Sequence, residues 1–352
     1  MSKPWYLTKA PEPDQQAFEK AEQHQSQLTK PPGSLGELES IALQFAAWQK
    51  TPLPKCENII VRIFAGDHGI CRVENNQGSG VSAFPQAVTA QMIHNFINGG
   101  AAINVLSKQI NADFAVVNMG TVQPIDMSSP YFINHQLMNG TNDFTKESAM
   151  SMGTLELALA AGRDELMNKS ADLFVAGEMG IGNTTSASAI YSLLLKVGPE
   201  ATVGNGTGVD KDGLIAKRKT IYKALNCHGE QLDSPLAILQ LVGGLEIAAL
   251  VGAYIASAQH GLPIMVDGFI ATAAALLAVE INPSVRPWMM FAHQSAEKAH
   301  KLALEKLNAK PVLNLGLRLG EGSGAALAVP IIQSALALHS QMATFAQANV
   351  SE

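Results

Sequence analysis

Short apolar runs recur along the chain, each stopped by glycine or a polar turn. They are NIIVRIFAG (58–66), DFAVVNMG (113–120), DLFVAGEMG (172–180), LPIMVDG (262–268), WMMFAHQ (288–294) and PVLNLGLRLG (311–320). None alternates apolar with polar positions, so both faces of each strand are expected to be buried, as in a parallel sheet. Stretches of helical periodicity lie between them, among them AVTAQMIHNFI (87–97), SASAIYSLLLKV (186–197) and SAEKAHKLALEKL (295–307). Strand–helix alternation over these runs predicts a doubly wound α/β fold: a mostly parallel six-stranded sheet flanked by helices.

The two ends of the chain fall outside that alternation. Lys30-Pro31-Pro32-Gly33 forms a rigid entry loop, and Ser34-Leu35-Gly36-Glu37 reads as a capping box in front of LESIALQFAAWQ. With the tail IIQSALALHSQMATFAQA (331–348), these helices predict a small helical domain drawn from residues 1–50 and 329–352, around a large α/β domain of residues 51–328. The apolar segment 236–258 is long enough to cross a bilayer. It carries Glu246 among small residues (Gly243, Gly244, Gly252), and no Lys/Arg cluster flanks it. It reads as a buried helix rather than a membrane span.

Composition sharpens this picture. Of 352 residues, 47% are hydrophobic and 15% charged, against roughly 25% charged in average domains. A large core and further burial in an oligomer are expected. The net charge of −6 is spread along the chain, with no basic stripe to follow a phosphate backbone, which excludes nucleic acid as a partner. Cys56, Cys71 and Cys227 include no CxxC, so a reducing cytoplasm is expected. MSKPWYLTKAPEPDQQ has no apolar run of signal-peptide type.

In doubly wound sheets the ligand crevice lies beyond the carboxyl ends of the strands. That rule gathers Asp67-His68, Glu178, Asp267, His293-Gln294-Ser295 and Glu321 into one candidate site. GIGNTTS (180–186) joins a strand to a helix start, where free N–H groups and the hydroxyls of Thr184, Thr185 and Ser186 suit a phosphate. No lysine follows the glycines, so it is not a Walker loop and a P-loop NTPase is disfavoured. GNGTGVD (204–210) is a second glycine-rich loop. In EGSGAALA (321–328), Gly322 and Gly324 permit close ligand approach, and the helix start is expected to keep Glu321 ionised. AGDHG (65–69) reads as a structural Asp–His pair. GVSAFPQAVTAQM (80–92) offers an apolar face for a flat ring. Each motif also has a plain alternative as turn, cap or core packing, and the residues alone leave both open.

Taken together and in order, KPPGSLGELE, FAGDHGI, GVSAFPQAVTAQM, GEMGIGNTTSASAI, GTGVD, HQSAEKAH and LGLRLGEGSGAALA span about residues 28 to 340. The set resembles the nicotinate-nucleotide–dimethylbenzimidazole phosphoribosyltransferase family, which builds the lower nucleotide of cobalamin. The resemblance implies a cytoplasmic homodimer with a Rossmann-like domain and a small helical one, and a reaction needing no metal or organic cofactor. Nicotinate mononucleotide and 5,6-dimethylbenzimidazole would be the substrates. By the same matching, Glu321 would take the proton from the incoming base and Glu178 would lie near the ribose or the base. Gly180, Ile181, Gly182, Asn183, Thr184 and Thr185, with Ser295 and Gly322, would hold the nucleotide and its phosphate, and Lys217 would approach it. Ser82, Phe84, Gln91, Met92 and Leu319 would form the base pocket. The alternative of another class is a protein of this fold that binds the nucleotide without transferring it.

Overall fold

The computed structural model describes residues 3–72, 80–167, 169–204, 206, 208 and 210–351. Among these residues, seven strands form one sheet: β1 (Ile59–Gly66), β2 (Asp113–Gly120), β3 (Phe132–Asn134), β4 (Leu173–Met179), β5 (Ile264–Val266), β6 (Met289–His293) and β7 (Pro311–Leu313). The helices are α1 (Gln15–Ser26), α2 (Glu37–Gln49), α3 (Val88–Ile97), α4 (Ala102–Gln109), α5 (Met152–Asp164), α6 (Asn183–Leu195) and α7 (Pro199–Thr202). They continue with α8 (Lys211–His228), α9 (Pro235–Val242), α10 (Leu245–Gln259), α11 (Phe269–Ile281), α12 (Lys298–Lys306), α13 (Ser323–Gln341) and α14 (Phe345–Ala348).

Every pairing is parallel, in the order β3-β2-β1-β4-β5-β6-β7. The apolar runs are buried on both faces where they form the inner strands, with all eight residues of β1 and seven of eight in β2 buried, whereas β7 at the sheet edge is half-buried. The chain turns back on itself between β1 and β4, which places the topological switch, and so the crevice, at their carboxyl ends.

The expected count of six strands is corrected to seven. The added strand, β3, is three residues of half-buried or exposed edge, too short and too solvated to leave an apolar run. The last strand is also shorter than its sequence suggests. Pairing ends at Leu313, opposite His293, and the apolar stretch 314–320 leaves the sheet, with Leu315 and Leu319 about three-fifths exposed (60% and 58%). Positive φ at Gly316 (69°) and Gly320 (86°) bends the chain away from the ladder.

The capping box expected at Ser34–Glu37 does not form. Gly36 (φ 56°) precedes α2 without a side-chain cap. Instead Glu39 accepts the Leu35 N–H at 3.0 Å and pairs with Lys30 at 2.8 Å. The apolar segment 236–258 is two helices, broken where Gly243 and Gly244 close α9 and open α10. At 8 and 15 residues, neither reaches the ~20 needed to cross a bilayer. Among the described residues one helix, α13, is long and apolar enough to do so by length and composition, and 56% of that window is buried inside the molecule.

The chain ends meet. His24 Nε2 lies 2.8 Å from the His339 carbonyl, Leu28 bridges Thr344, and Trp48 donates to the Pro287 carbonyl at 2.8 Å. One contiguous core runs from Tyr6 and Phe45 through the sheet to Leu336.

α5 and α10 pack backbone to backbone. A Cβ on Gly162 would sit 1.9 Å from the Ala249 carbonyl oxygen, and one on Gly252 would sit 2.0 Å from that of Leu159. Neither contact can relax by moving a side chain. Gly162→Ala is therefore expected to lower stability by about 2–3 kcal/mol. Gly153→Ala, whose nearest contact is 3.9 Å away, should change it by less than ~0.5 kcal/mol. The urea midpoints of the two variants check this.

Candidate active site

Two turns at the carboxyl edge of the sheet carry the acids. The first follows β4, which ends in Glu178 and Met179 and passes through Gly180–Gly182 into α6. The second, residues 320–322, leads into α13. They touch because residue 177 has no side chain: a Cβ there would lie 2.3 Å from the Gly322 nitrogen and 2.4 Å from the Glu321 carbonyl carbon. The turn thus lies against β4, beside Glu178.

That contact demands an unusual backbone. Gly320 (φ 86°), Glu321 (φ 60°) and Gly322 (φ 71°) are successive left-handed residues. For a non-glycine residue this costs on the order of 1 kcal/mol and persists only where neighbours enforce it. Asp267, one residue beyond β5, supplies the enforcement. Its Oδ2 accepts the Gly322 N–H at 3.1 Å and its Oδ1 accepts the Ala325 N–H at 2.8 Å. Ser323 Oγ closes the turn on the Gly320 carbonyl at 2.6 Å.

Glu178, Asp267 and Glu321 are all buried. Burial pushes the Glu321 carboxyl up to about 7, with the Asp267 charge adding to it. Glu178 is raised well above the carboxylate range, first by burial, then by Asp267, Glu246 and Glu321, against a lowering hydrogen bond from Asn183. Asp267 is also raised by burial, opposed by His293 and by the N–H groups it accepts; His293 Nε2 lies 3.7 Å from its Oδ1. The expectation that the following helix start keeps Glu321 ionised is therefore corrected: Asp267 takes those N–H groups, and burial dominates.

A cavity of about 300 Å³ opens over these groups. Its apolar wall comes from Phe84, Val88, Met92, Phe269, Ile270 and Leu319, its polar floor from Glu178, Asn183, His293, Ser295 and Glu321. Of the nucleotide residues expected from the sequence, Gly180, Ile181, Asn183, Thr184 and Ser295 line it; Gly182, Thr185, Lys217 and Gly322 lie behind the lining. The loop 180–186 offers fewer free amides than its sequence suggests. Ile181 N donates to Thr89 Oγ1 at 3.1 Å, Asn183 N to the Gly180 carbonyl and Thr185 N to that of Gly182.

Lys217 is buried and reaches the lining through Thr184, its Nζ 3.0 Å from Thr184 Oγ1. Burial lowers its pKa while Glu297 and Cys71 raise it. Glu297 in turn accepts the Gly206 N–H at 2.9 Å. The rest of the second glycine-rich loop includes Asn205, Thr207 and Val209, which lie outside the described residues, as does the linker 73–79.

For the expected base pocket, Phe84, Met92 and Leu319 line the cavity. Ser82 and Gln91 do not: Ser82 Oγ accepts the Phe84 N–H at 3.2 Å, and Gln91 is exposed on α3. Val88, one helical turn before Met92, faces the cavity with it. The Asp67–His68 pair is also rearranged. His68 Nε2 meets Glu246 Oε1 at 2.6 Å, while Asp67 accepts the Val122 N–H at 2.8 Å.

Buried acids over an apolar slot, at the switch point of a doubly wound sheet, suit transfer chemistry on a small aromatic substrate. Residues 10–350 match the phosphoribosyltransferase family, and the chain belongs to it. Among its relatives is the nicotinate-nucleotide–dimethylbenzimidazole phosphoribosyltransferase of Pseudomonas putida, 48% identical over 355 residues, covering 100% of this chain and 99% of that protein. The enzyme of the same name from Azotobacter vinelandii is 49% identical with the same coverage. The crystal structure of CobT from Thermus thermophilus superposes with a TM-score of 0.89 at 40% identity, covering 96% of this chain and 99% of that one.

Because Glu321 is protonated up to about pH 7 in the fold but only to about 4.5 when unfolded, its stabilising contribution is complete below 4.5 and is lost as pH rises through 7. A shift of that size corresponds to on the order of 3 kcal/mol. Glu321→Gln is thus expected to gain stability over wild type as pH rises from 4.5 to 7, by about that amount, with a plateau above. Unfolding midpoints of both proteins across this range check the sign.

Proposed function

We propose that this protein transfers the phosphoribosyl group of nicotinate mononucleotide to 5,6-dimethylbenzimidazole, releasing nicotinate and giving α-ribazole 5′-phosphate for the nucleotide loop of cobalamin. The observation that carries this reading is the carboxyl of Glu321, poised near neutrality on the wall of an apolar slot. The family membership and full-length relatives support the same reaction.

One ring nitrogen of the base attacks the ribose C1 as the bond to the nicotinate nitrogen breaks. The electron pair of that bond neutralises the pyridinium, so the leaving group needs no acid. The attacking ring becomes cationic and its other N–H turns strongly acidic. Glu321, ionised above about pH 7, accepts that proton as the charge develops. Attack opposite the leaving group inverts C1 and gives the α product. Glu178, held by Asn183, positions the ribose. The charge of ionised Glu321 also favours the positive charge that develops on the sugar in the transition state. Thr184 and Ser295 hold the phosphate, with the Lys217 ammonium approaching it from behind Thr184, and Phe84, Val88, Met92 and Leu319 cover the ring. The protein works as a cytoplasmic homodimer, in which the helices of residues 1–50 and 329–352 form a small unit beside the nucleotide-binding domain.

Base catalysis of this kind is worth roughly 10²–10⁴-fold, and Glu321→Gln is expected to lose that much kcat with both substrates saturating. Its affinity for nicotinate mononucleotide should change less than about threefold, because the phosphate is held by other elements. Glu178→Gln should lose part of its activity in KM. Turnover by product analysis, with nucleotide affinity by calorimetry, checks both variants. Near-full kcat in Glu321→Gln would remove it as the base, and nucleotide binding without turnover in the wild type would leave a binding protein.

A further inference from the structure

We propose that Asp267 is the positioning residue of this transfer, the group that fixes Glu321 in its reacting conformation. The inference rests on the reaction given above. Gly322 precedes α13 without a side-chain cap; Ser323 N donates to the Gly320 carbonyl at 3.0 Å, and the Gly322 and Ala325 N–H groups are left for a partner from elsewhere in the chain. Asp267 reaches them from the next layer, with one carboxylate oxygen on Gly322 N and the other on Ala325 N. The two bonds bracket the first turn of α13 and fix the peptide that follows Glu321. Strand β5 thereby dictates the left-handed backbone of a residue far later in the chain. A carboxylate suits the task because it alone offers two acceptors and no donor in so small a side chain.

The same charge acts on Glu321 through space. The groups facing this pair are Glu178 from β4, Tyr254 from α10, His293 from β6 and Arg318 from the loop of Glu321 itself, while Glu246 from α10 acts on Glu178. Among them Asp267 is the charged neighbour that raises the Glu321 carboxyl beyond the effect of burial. Asp267 does not itself line the cavity; it meets the lining at His293, 3.7 Å away, and through the turn of Glu321 that its two hydrogen bonds hold.

Asp267→Asn removes the charge and turns an NH₂ group toward one of the two N–H donors. It should lower kcat by roughly 10–100-fold, the scale of a misplaced catalytic group, with KM for nicotinate mononucleotide within about threefold of wild type. The acidic limb of kcat/KM for the base should move down by on the order of one pH unit, because a like charge has been removed. In the Glu321→Gln background the substitution should add no further loss, as expected of residues acting as a unit. A merely structural Asp267 would leave the limb in place and multiply the Glu321→Gln loss, and either result overturns the inference. Should Asp267→Asn fail to fold, Asp267→Glu keeps the charge but displaces the acceptors. It should lower kcat similarly with the limb unmoved, and full kcat in that variant also overturns the inference. Failure of the wild type to turn over would count against the reaction itself and not against the role of Asp267.

Discussion

The active site depends on one contact, the packing of the 320–322 turn against β4. That approach is open only because Gly177 presents no Cβ, and it brings together two acids from distant parts of the chain. Any side chain at 177 would push Glu321 off the sheet edge and open the slot to water. The all-parallel topology matters for the same reason: it puts the carboxyl ends of β1, β4, β5 and β6 on one edge, so that each can contribute to the same wall.

Two physical effects compete over the charge of Glu321, and their magnitudes decide between them. A helix start stabilises a nearby carboxylate by ~0.3–1 kcal/mol. Burial, with the Asp267 charge added to it, raises the carboxyl from 4.5 to about 7, which corresponds to on the order of 3 kcal/mol in the opposite direction. Burial wins, and the helix start serves Asp267 instead. The outcome is a base whose proton affinity matches neutral operation, at the cost of some stability once it ionises.

The sheet was legible in the sequence wherever strands are buried on both faces, since burial writes itself as continuous apolar runs. It was illegible at the edges, where β3 is short and half-exposed and where 314–320 is apolar without being a strand. The convergence of Glu178 and Asp267 followed from the rule for strand ends; Glu321 joins them from the turn before α13, eight residues beyond the end of β7 at Leu313. The division of labour among them did not follow from that rule, because it depends on which carboxylate reaches the N–H groups of α13, a matter of ångströms across β5. Ser82 and Gln91 were drawn to the base pocket by their motif, yet Ser82 is occupied by the Phe84 N–H before α3 begins, and helical phase on α3 turns Val88 and Met92 to the cavity while Gln91 is exposed. Lys217 came forward only through the family resemblance; it is buried and reaches Thr184 from behind the loop, and no local pattern marks such a long-range contact.

The account stands most directly on the proton affinity of Glu321 in the resting protein. Side-chain carboxyl ¹³C NMR of glutamate-labelled protein, with the Glu321 signal assigned by its loss in Glu321→Gln, measures it without substrate or turnover. The structure predicts a transition near pH 7. A midpoint at the ordinary carboxylate value of about 4.5 would mean that Glu321 is solvated or capped by the helix start, and would contradict the account of a buried base set by its surroundings.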